Sequence, residues 1–152
     1  HTAYRRQRQM CIRDSGYTYS GHPVSCAVAL KTLEIYERDK VFQHAKKVGE
    51  YFQNSIKEIL KEDYVGEVRG IGLIAGIELY KDPLNKIAFE EAGKAGKILS
   101  DTCQKNGLIV RPILDTVALC PPLIISEKEV DELTDKLKKS LQEAKDEIMK
   151  VH

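Results

Sequence analysis

The chain of 152 residues contains no run of about 18 consecutive apolar residues, so neither a membrane-spanning helix nor a membrane partner is expected. Its first residues include neither an initiating methionine nor the apolar segment of a signal peptide. No G-x-G-x-x-G and no P-loop pattern occurs, which removes two familiar phosphate-binding signatures. The four cysteines, Cys11, Cys26, Cys103 and Cys120, include no C-x-x-C pair. Neither a zinc site nor a redox dithiol is indicated, and a reducing cytoplasm is the expected setting. An excess of charge is also missing. The net charge is +1, and residues 1–15 hold +3 through Arg5, Arg6, Arg8 and Arg13 against Asp14, so the other 137 residues sum to −2. With the net positive charge confined to a short tail and no folded basic face, a nucleic-acid partner is not expected. The His, Cys and Ser residues give no nucleophile–base signature, and no internal repeat occurs.

What is present is a globular balance, 42% hydrophobic and 31% charged, at a length suited to one domain with small extensions. Residues 24–38, VSCAVALKTLEIYER, are apolar almost all round in their first half, the pattern of a helix buried on both sides. Val41, Ala45, Val48, Phe52, Ile56 and Ile59 then recur at the helical period, so a surface helix with one core face ends near Lys61. Residues 65–79, VGEVRGIGLIAGIEL, read as strand, punctuated by Gly66, Gly70, Gly72 and Gly76. After a loop around Asp82-Pro83, residues 87–105 return to helical spacing, stopped by Asn106-Gly107. Residues 108–110 and 116–120 are short β-prone runs flanking a turn that contains Asp115, and Arg111-Pro112 lies between them. Ser126 and Glu129 form a capping box before a final helix with its stripe at Val130, Leu133, Leu137, Leu141, Ala144 and Ile148. The sum is an α/β (α+β) sandwich: a small sheet covered by helices and preceded by a long linking helix.

Four places invite chemistry. In GYTYSGHP, residues 16–23, two glycines bracket Thr18 and Ser20 before Pro23 opens a helix, a pattern that serves a helix-start turn or a phosphate contact. His22 beside Pro23 is a local hydrogen-bonding residue or a metal ligand. Arg69, among strand residues, is a structural ion-pair partner or a receptor for an acid. Arg111, at the end of a short strand, is an exposed edge charge or a fork for bidentate capture of a carboxylate.

Three blocks then agree in order and spacing: GYTYSGHPVSCAVALKTLEIYE, VGEVRGIGLIAGIELYKD and NGLIVRPILDTVALCPPLIISEKEVDEL. Together they closely resemble the C-terminal third of class III aminotransferases, fold-type I enzymes dependent on pyridoxal 5′-phosphate. The resemblance covers residues 16–148. It implies that residues 16–38 are a cofactor-phosphate loop and linking helix from the large domain, and that residues 39–152 are the C-terminal small domain. Residues 1–15 stand outside it, and RQMCIRDS looks like translated adapter sequence, so a non-native tail is expected there.

In that family the loop matching GYTYSGHP reaches across a homodimer. The resemblance implies that Thr18 hydrogen-bonds the cofactor phosphate of the other subunit and that Tyr17 lines the same pocket. It further implies that Arg111 is the mobile carboxylate-binding arginine of the ω-amino acid and amine:pyruvate transaminases. In acetylornithine-type relatives the equivalent arginine follows the turn, where this chain has Val117 and Ala118, and the loop more usually reads GGNP than SGHP. Both differences favour the ω-type branch. The implied reaction moves an amino group from an amine or ω-amino acid to a 2-oxo acid such as pyruvate. The Schiff-base lysine, the acid pairing the pyridine nitrogen and the aromatic over the ring all precede the first block in the family. No catalytic residue is therefore expected in this chain, and alone it is expected to be inactive. An acetylornithine- or ornithine-type aminotransferase, an aminomutase, and a free-standing non-catalytic interaction module are the alternative readings.

Overall fold

The computed structural model describes residues 21–151, so Tyr17, Thr18 and Ser20 lie outside the described residues. The chain divides into two units between Lys40 and Val41. In the first, helix α1 (Pro23–Arg38) starts on Pro23, where the absent N–H would have had no helical partner. His22 caps it, its Nδ1 accepting from the Ser25 N–H at 3.4 Å. None of the residues of α1 is buried, and Leu30 is 69% exposed.

The second unit runs α2 (Val41–Lys57), a 3₁₀ turn (Glu58–Lys61), β1 (Val65–Ile71), β2 (Ile74–Leu79), α3 (Lys94–Lys105), β3 (Arg111–Ile113), β4 (Thr116–Leu119) and α4 (Glu127–Ile148). The strands form one antiparallel sheet in the order β1-β2-β4-β3. Helices cover one face. Phe52 and Ile56 of α2, Leu99 and Cys103 of α3, and Val130, Leu137, Leu141 and Ile148 of α4 are buried with Ala75, Ile77 and Leu79 of β2 and Val117 and Leu119 of β4. Each such aliphatic side chain contributes about 1.5–3 kcal/mol when fully buried. Polar groups in this core are satisfied: the Tyr64 hydroxyl donates to the Leu141 carbonyl at 2.6 Å, and burial pushes its ionisation far above the ordinary range. The capping box at Ser126 and Glu129 forms in both directions.

Three expectations are corrected. The glycine-punctuated run 65–79 is a hairpin of two strands, turning at Gly72, whose φ of +55° belongs to the left-handed region, and Leu73. Gln53 of α2 fastens that turn, its Nε2 donating to the Gly72 and Ile74 carbonyls at 2.8 and 3.0 Å. Helix α3 starts at Lys94, because Gly93 sits at φ +84° and a left-handed residue cannot continue a helix upstream; Ala88 and Ala92 are exposed while Phe89 is buried. The strand expected at 108–110 lies at Arg111–Ile113, and 108–110 is irregular chain whose Leu108 and Val110 pack against the core. Pro112 is tolerated because β3 is an edge strand.

Candidate functional site

Alternation along the strands sorts the sheet into a helix-covered face and an open one. Ala75, Ile77, Leu79, Val117 and Leu119 are buried under the helices, and Ile74, Gly76, Glu78, Thr116 and Ala118 point the other way. Residues directly opposite in a ladder share a face, so two rows cross the open side. One is Glu67–Glu78–Thr116–Ile113, the other Arg69–Gly76–Ala118–Arg111. The second row has an arginine on each edge strand and a floor of two small residues. At about 4.8 Å per strand, its ends are about 14 Å apart.

The two arginines differ in what surrounds them. Arg69 donates to Glu78 across β1–β2 and lies 3.6 Å from Glu67. Hydrogen bonding to Glu78, and then its charge, hold the Arg69 guanidinium above its usual pKa. Glu67 and Glu78 face each other in the ladder, where two like charges repel, and Arg69 neutralises both. Beside them Tyr80 is packed over Gly66, and desolvation followed by the Glu78 charge raises its pKa, keeping it a neutral hydroxyl. The ion-pair reading of Arg69 is therefore the one realised.

Arg111 is exposed, and its side chain makes no hydrogen bond or ion pair among the described residues. Its guanidinium has five N–H donors and a permanent charge, with no acceptor from the sheet to occupy them. What the sequence did not disclose is how its strand is held. The turn after β3 consists of Leu114 and Asp115, with Leu114 at φ +52°. The Asp115 carboxylate accepts from the Gly93 N–H at 2.8 Å and the Gly96 N–H at 3.1 Å, capping α3, and its carbonyl accepts from Leu79 N–H at 2.9 Å. An aspartate in a turn was the available signal, but its partners lie 22 and 19 residues away.

His22 is the local capping residue described above, and no group of metal-ligating side chains occurs among the described residues. A lysine that condenses with a carbonyl cofactor is ordinarily desolvated so that its amine is neutral. Every described lysine is at the surface, none of them buried. Thr18 and Tyr17 fall outside the described residues. Nor is any described helix long and apolar enough to cross a membrane.

Comparison with known proteins gives this face its context. The family model for aminotransferase class-III matches residues 4–141. A probable γ-aminobutyrate transaminase 3, mitochondrial, from Oryza sativa subsp. indica is 38% identical over 133 residues, 88% of this chain and 26% of the relative. The putrescine–pyruvate aminotransferase of Pseudomonas aeruginosa is 37% identical over 129 residues, 84% of this chain and 28% of that protein. Among solved structures, a transaminase with L-alanine superposes at a TM-score of 0.82 and 40% identity, covering 86% of this chain and 30% of that one. The ω-transaminase of Pseudomonas jessenii in complex with PMP superposes at 0.83 and 36%, covering 88% and 29%. This chain spans less than a third of the length of each of them. Fold-type I transaminases and this chain share the helix-covered sheet as well as the sequence. The chain belongs to the class III aminotransferases, a family of enzymes dependent on pyridoxal 5′-phosphate.

Proposed function

We propose that this chain is the C-terminal part of an amine or ω-amino acid transaminase, with a 2-oxo acid such as pyruvate as acceptor and Arg111 as the group that receives the substrate carboxylate. The observation that carries the reading is the contrast on the open face: Arg69 is engaged by Glu67 and Glu78, and Arg111 has its full set of donors available. A carboxylate in that position takes two parallel N–H···O bonds, stronger and more directional than a lysine ammonium could offer. Arg111 is opposite Ala118 in the ladder, so an arginine placed after the turn, as in acetylornithine-type enzymes, would occupy the neighbouring position of the same row. The arginine at 111 with alanine at 118 supports the ω-type branch.

In this reading residues 16–38 are the cofactor-phosphate loop and linking helix, and residues 39–152 are the small domain of a homodimer. Thr18 donates its hydroxyl to the cofactor phosphate in the partner subunit, and Tyr17 lines that pocket. When bound, pyridoxal 5′-phosphate supplies the electron sink for amino transfer, and the protein supplies orientation and electrostatics.

The test uses the intact enzyme containing this segment, loaded with cofactor and assayed with a panel of amines and ω-amino acids against pyruvate and other 2-oxo acids. Amino transfer to pyruvate supports the reading, and a loaded enzyme that moves no amino group to any 2-oxo acid overturns it. Thr18→Ala should speed loss of the cofactor on dialysis. The 152-residue chain alone is expected to show no turnover and to retain no cofactor after borohydride treatment.

A further inference from the structure

We propose that Asp115 is the positioning residue for Arg111, fixing through the β3–β4 turn the place from which the arginine side chain reaches. This rests on the reading of Arg111 as the carboxylate receptor. β3 is only three residues long and lies at the sheet edge, so its ladder to β4 alone is a weak mount. The turn that follows is strained: Leu114 holds φ +52°, a region that L side chains other than Asn and Asp rarely adopt. Such a conformation persists where the surroundings over-determine it.

Asp115 and two glycines provide that determination. One carboxylate oxygen takes the Gly93 N–H and the other takes the Gly96 N–H, so the turn is tied to α3 at two points of its first helical turn. These bonds satisfy backbone donors that no helical carbonyl could reach, and the carboxylate lies at the positive end of the helix dipole. A third tie, from Leu79 N–H to the Asp115 carbonyl, joins the same turn to β2. Gly96 lets the chain approach, since a Cβ there would stand 2.0 Å from the Leu114 carbonyl oxygen. Arg111 is four residues before Asp115 on the strand leading into this clamp. Its side chain has no partner among the described residues, and its strand runs into a turn tied at three points. A bidentate pair demands placement, because its two parallel N–H···O bonds form together only when the guanidinium fork and the carboxylate are aligned.

The experiment is made in the holoenzyme that carries this segment, with Arg111→Ala, Asp115→Ala, Asp115→Asn and the double variant Arg111→Ala/Asp115→Ala. KM and kcat are read for a 2-oxo acid acceptor and for an aldehyde acceptor without a carboxylate. Asp115→Ala is expected to raise the 2-oxo acid KM about tenfold while kcat and the aldehyde kinetics stay within about twofold. Asp115→Asn keeps one acceptor for the two N–H groups and sets its NH2 against the other, so it should recover only part of the loss, and Asp115→Ala should add nothing once Arg111 is alanine. Equal losses with both acceptors, or effects that multiply in the double variant, overturn the proposal. Backbone amide exchange of the holoenzyme gives a readout independent of activity: the amides of residues 111–119 should exchange faster in Asp115→Ala than in the parent, and to a smaller extent in Asp115→Asn. Unchanged exchange in Asp115→Ala overturns the proposal whatever the kinetics. An Arg111→Ala enzyme with an unaltered 2-oxo acid KM refutes the receptor reading and the proposal with it, and amide exchange then still reports whether Asp115 holds the strand.

Discussion

Arg69 and Arg111 stand at the same level of one sheet, on its two edge strands, joined in register through Gly76 and Ala118; among the described residues only Arg69 has carboxylate partners. The residue type is the same, so the neighbours decide the role. Glutamates at 67 and 78 make one arginine part of the scaffold. No carboxylate among the described residues pairs with Arg111, the arginine proposed above to receive a substrate carboxylate.

Replacing Arg111 by alanine in the intact enzyme is expected to weaken catalysis with carboxylate acceptors by about 1.5–3 kcal/mol in kcat/KM and to spare carboxylate-free substrates. Arg111→Lys should fall between, since it keeps the charge and loses the fork. Steady-state kinetics with matched pairs of substrates measure this. Equal losses for both classes would mean that the arginine serves the fold.

Arg69→Ala has a different signature. The guanidinium is 52% exposed and its pair is screened by water, so the loss is at most about 1 kcal/mol of stability. It leaves Glu67 opposite Glu78, and the destabilisation should be larger at low salt than at high salt. Thermal unfolding at two ionic strengths checks it, and the preference between carboxylate and aldehyde acceptors should not move.

Glycine-to-alanine changes should separate two glycines of the same domain. In a helix, alanine is ordinarily better than glycine by about 1 kcal/mol. At Gly96 the added methyl would stand 2.0 Å from the Leu114 carbonyl oxygen, a backbone atom, so Gly96→Ala is expected to destabilise by about 1–3 kcal/mol. Gly76→Ala meets the Thr116 Cγ2 at 3.5 Å and the Arg69 carbonyl oxygen at 3.9 Å, both ordinary contacts, and should change stability by less than about 0.5 kcal/mol. Urea unfolding of the two variants beside the parent chain tests the contrast.

Acid should fray the start of α4. The backbone N–H of Ser126, and then its hydroxyl, hold the Glu129 carboxyl below its usual 4.5. A depressed carboxylate stabilises the folded state above its unfolded pKa, and that contribution is lost as pH falls through the folded value. Amide exchange at residues 126–130 should therefore accelerate below about pH 4.5 beyond its intrinsic pH dependence. Glu129→Gln should exchange faster at neutral pH and show a flatter dependence on acid.

Much of this was written locally. The capping box, the stripe of α4 and the apolar face of α2 follow from residues three and four apart, because a helix makes its contacts at that range. The division of residues 65–79 did not, since turn residue Leu73 is itself apolar and buried, and no polar pair marks the reversal. Alanines at 88 and 92 continued the helical period of α3 upstream, but Gly93 adopts a left-handed φ that no periodicity reports. In the candidate site, Arg111 was legible as a donor in a turn-rich segment. The Asp115 clamp was not, because both of its backbone donors come from a different element.

Pro112 has a consequence for the chain in concentrated solution. A two-residue turn makes Ile113 and Thr116 a hydrogen-bonded pair, so Pro112, opposite Val117, occupies a non-hydrogen-bonded position whose nitrogen points away from the sheet. A strand arriving from outside finds no donor at the middle of β3. Docking of foreign chain along that border, the first step toward fibrillar stacking, is blocked beside Arg111 by a missing hydrogen atom, and the opposite border, β1, is left as the one where such growth can begin.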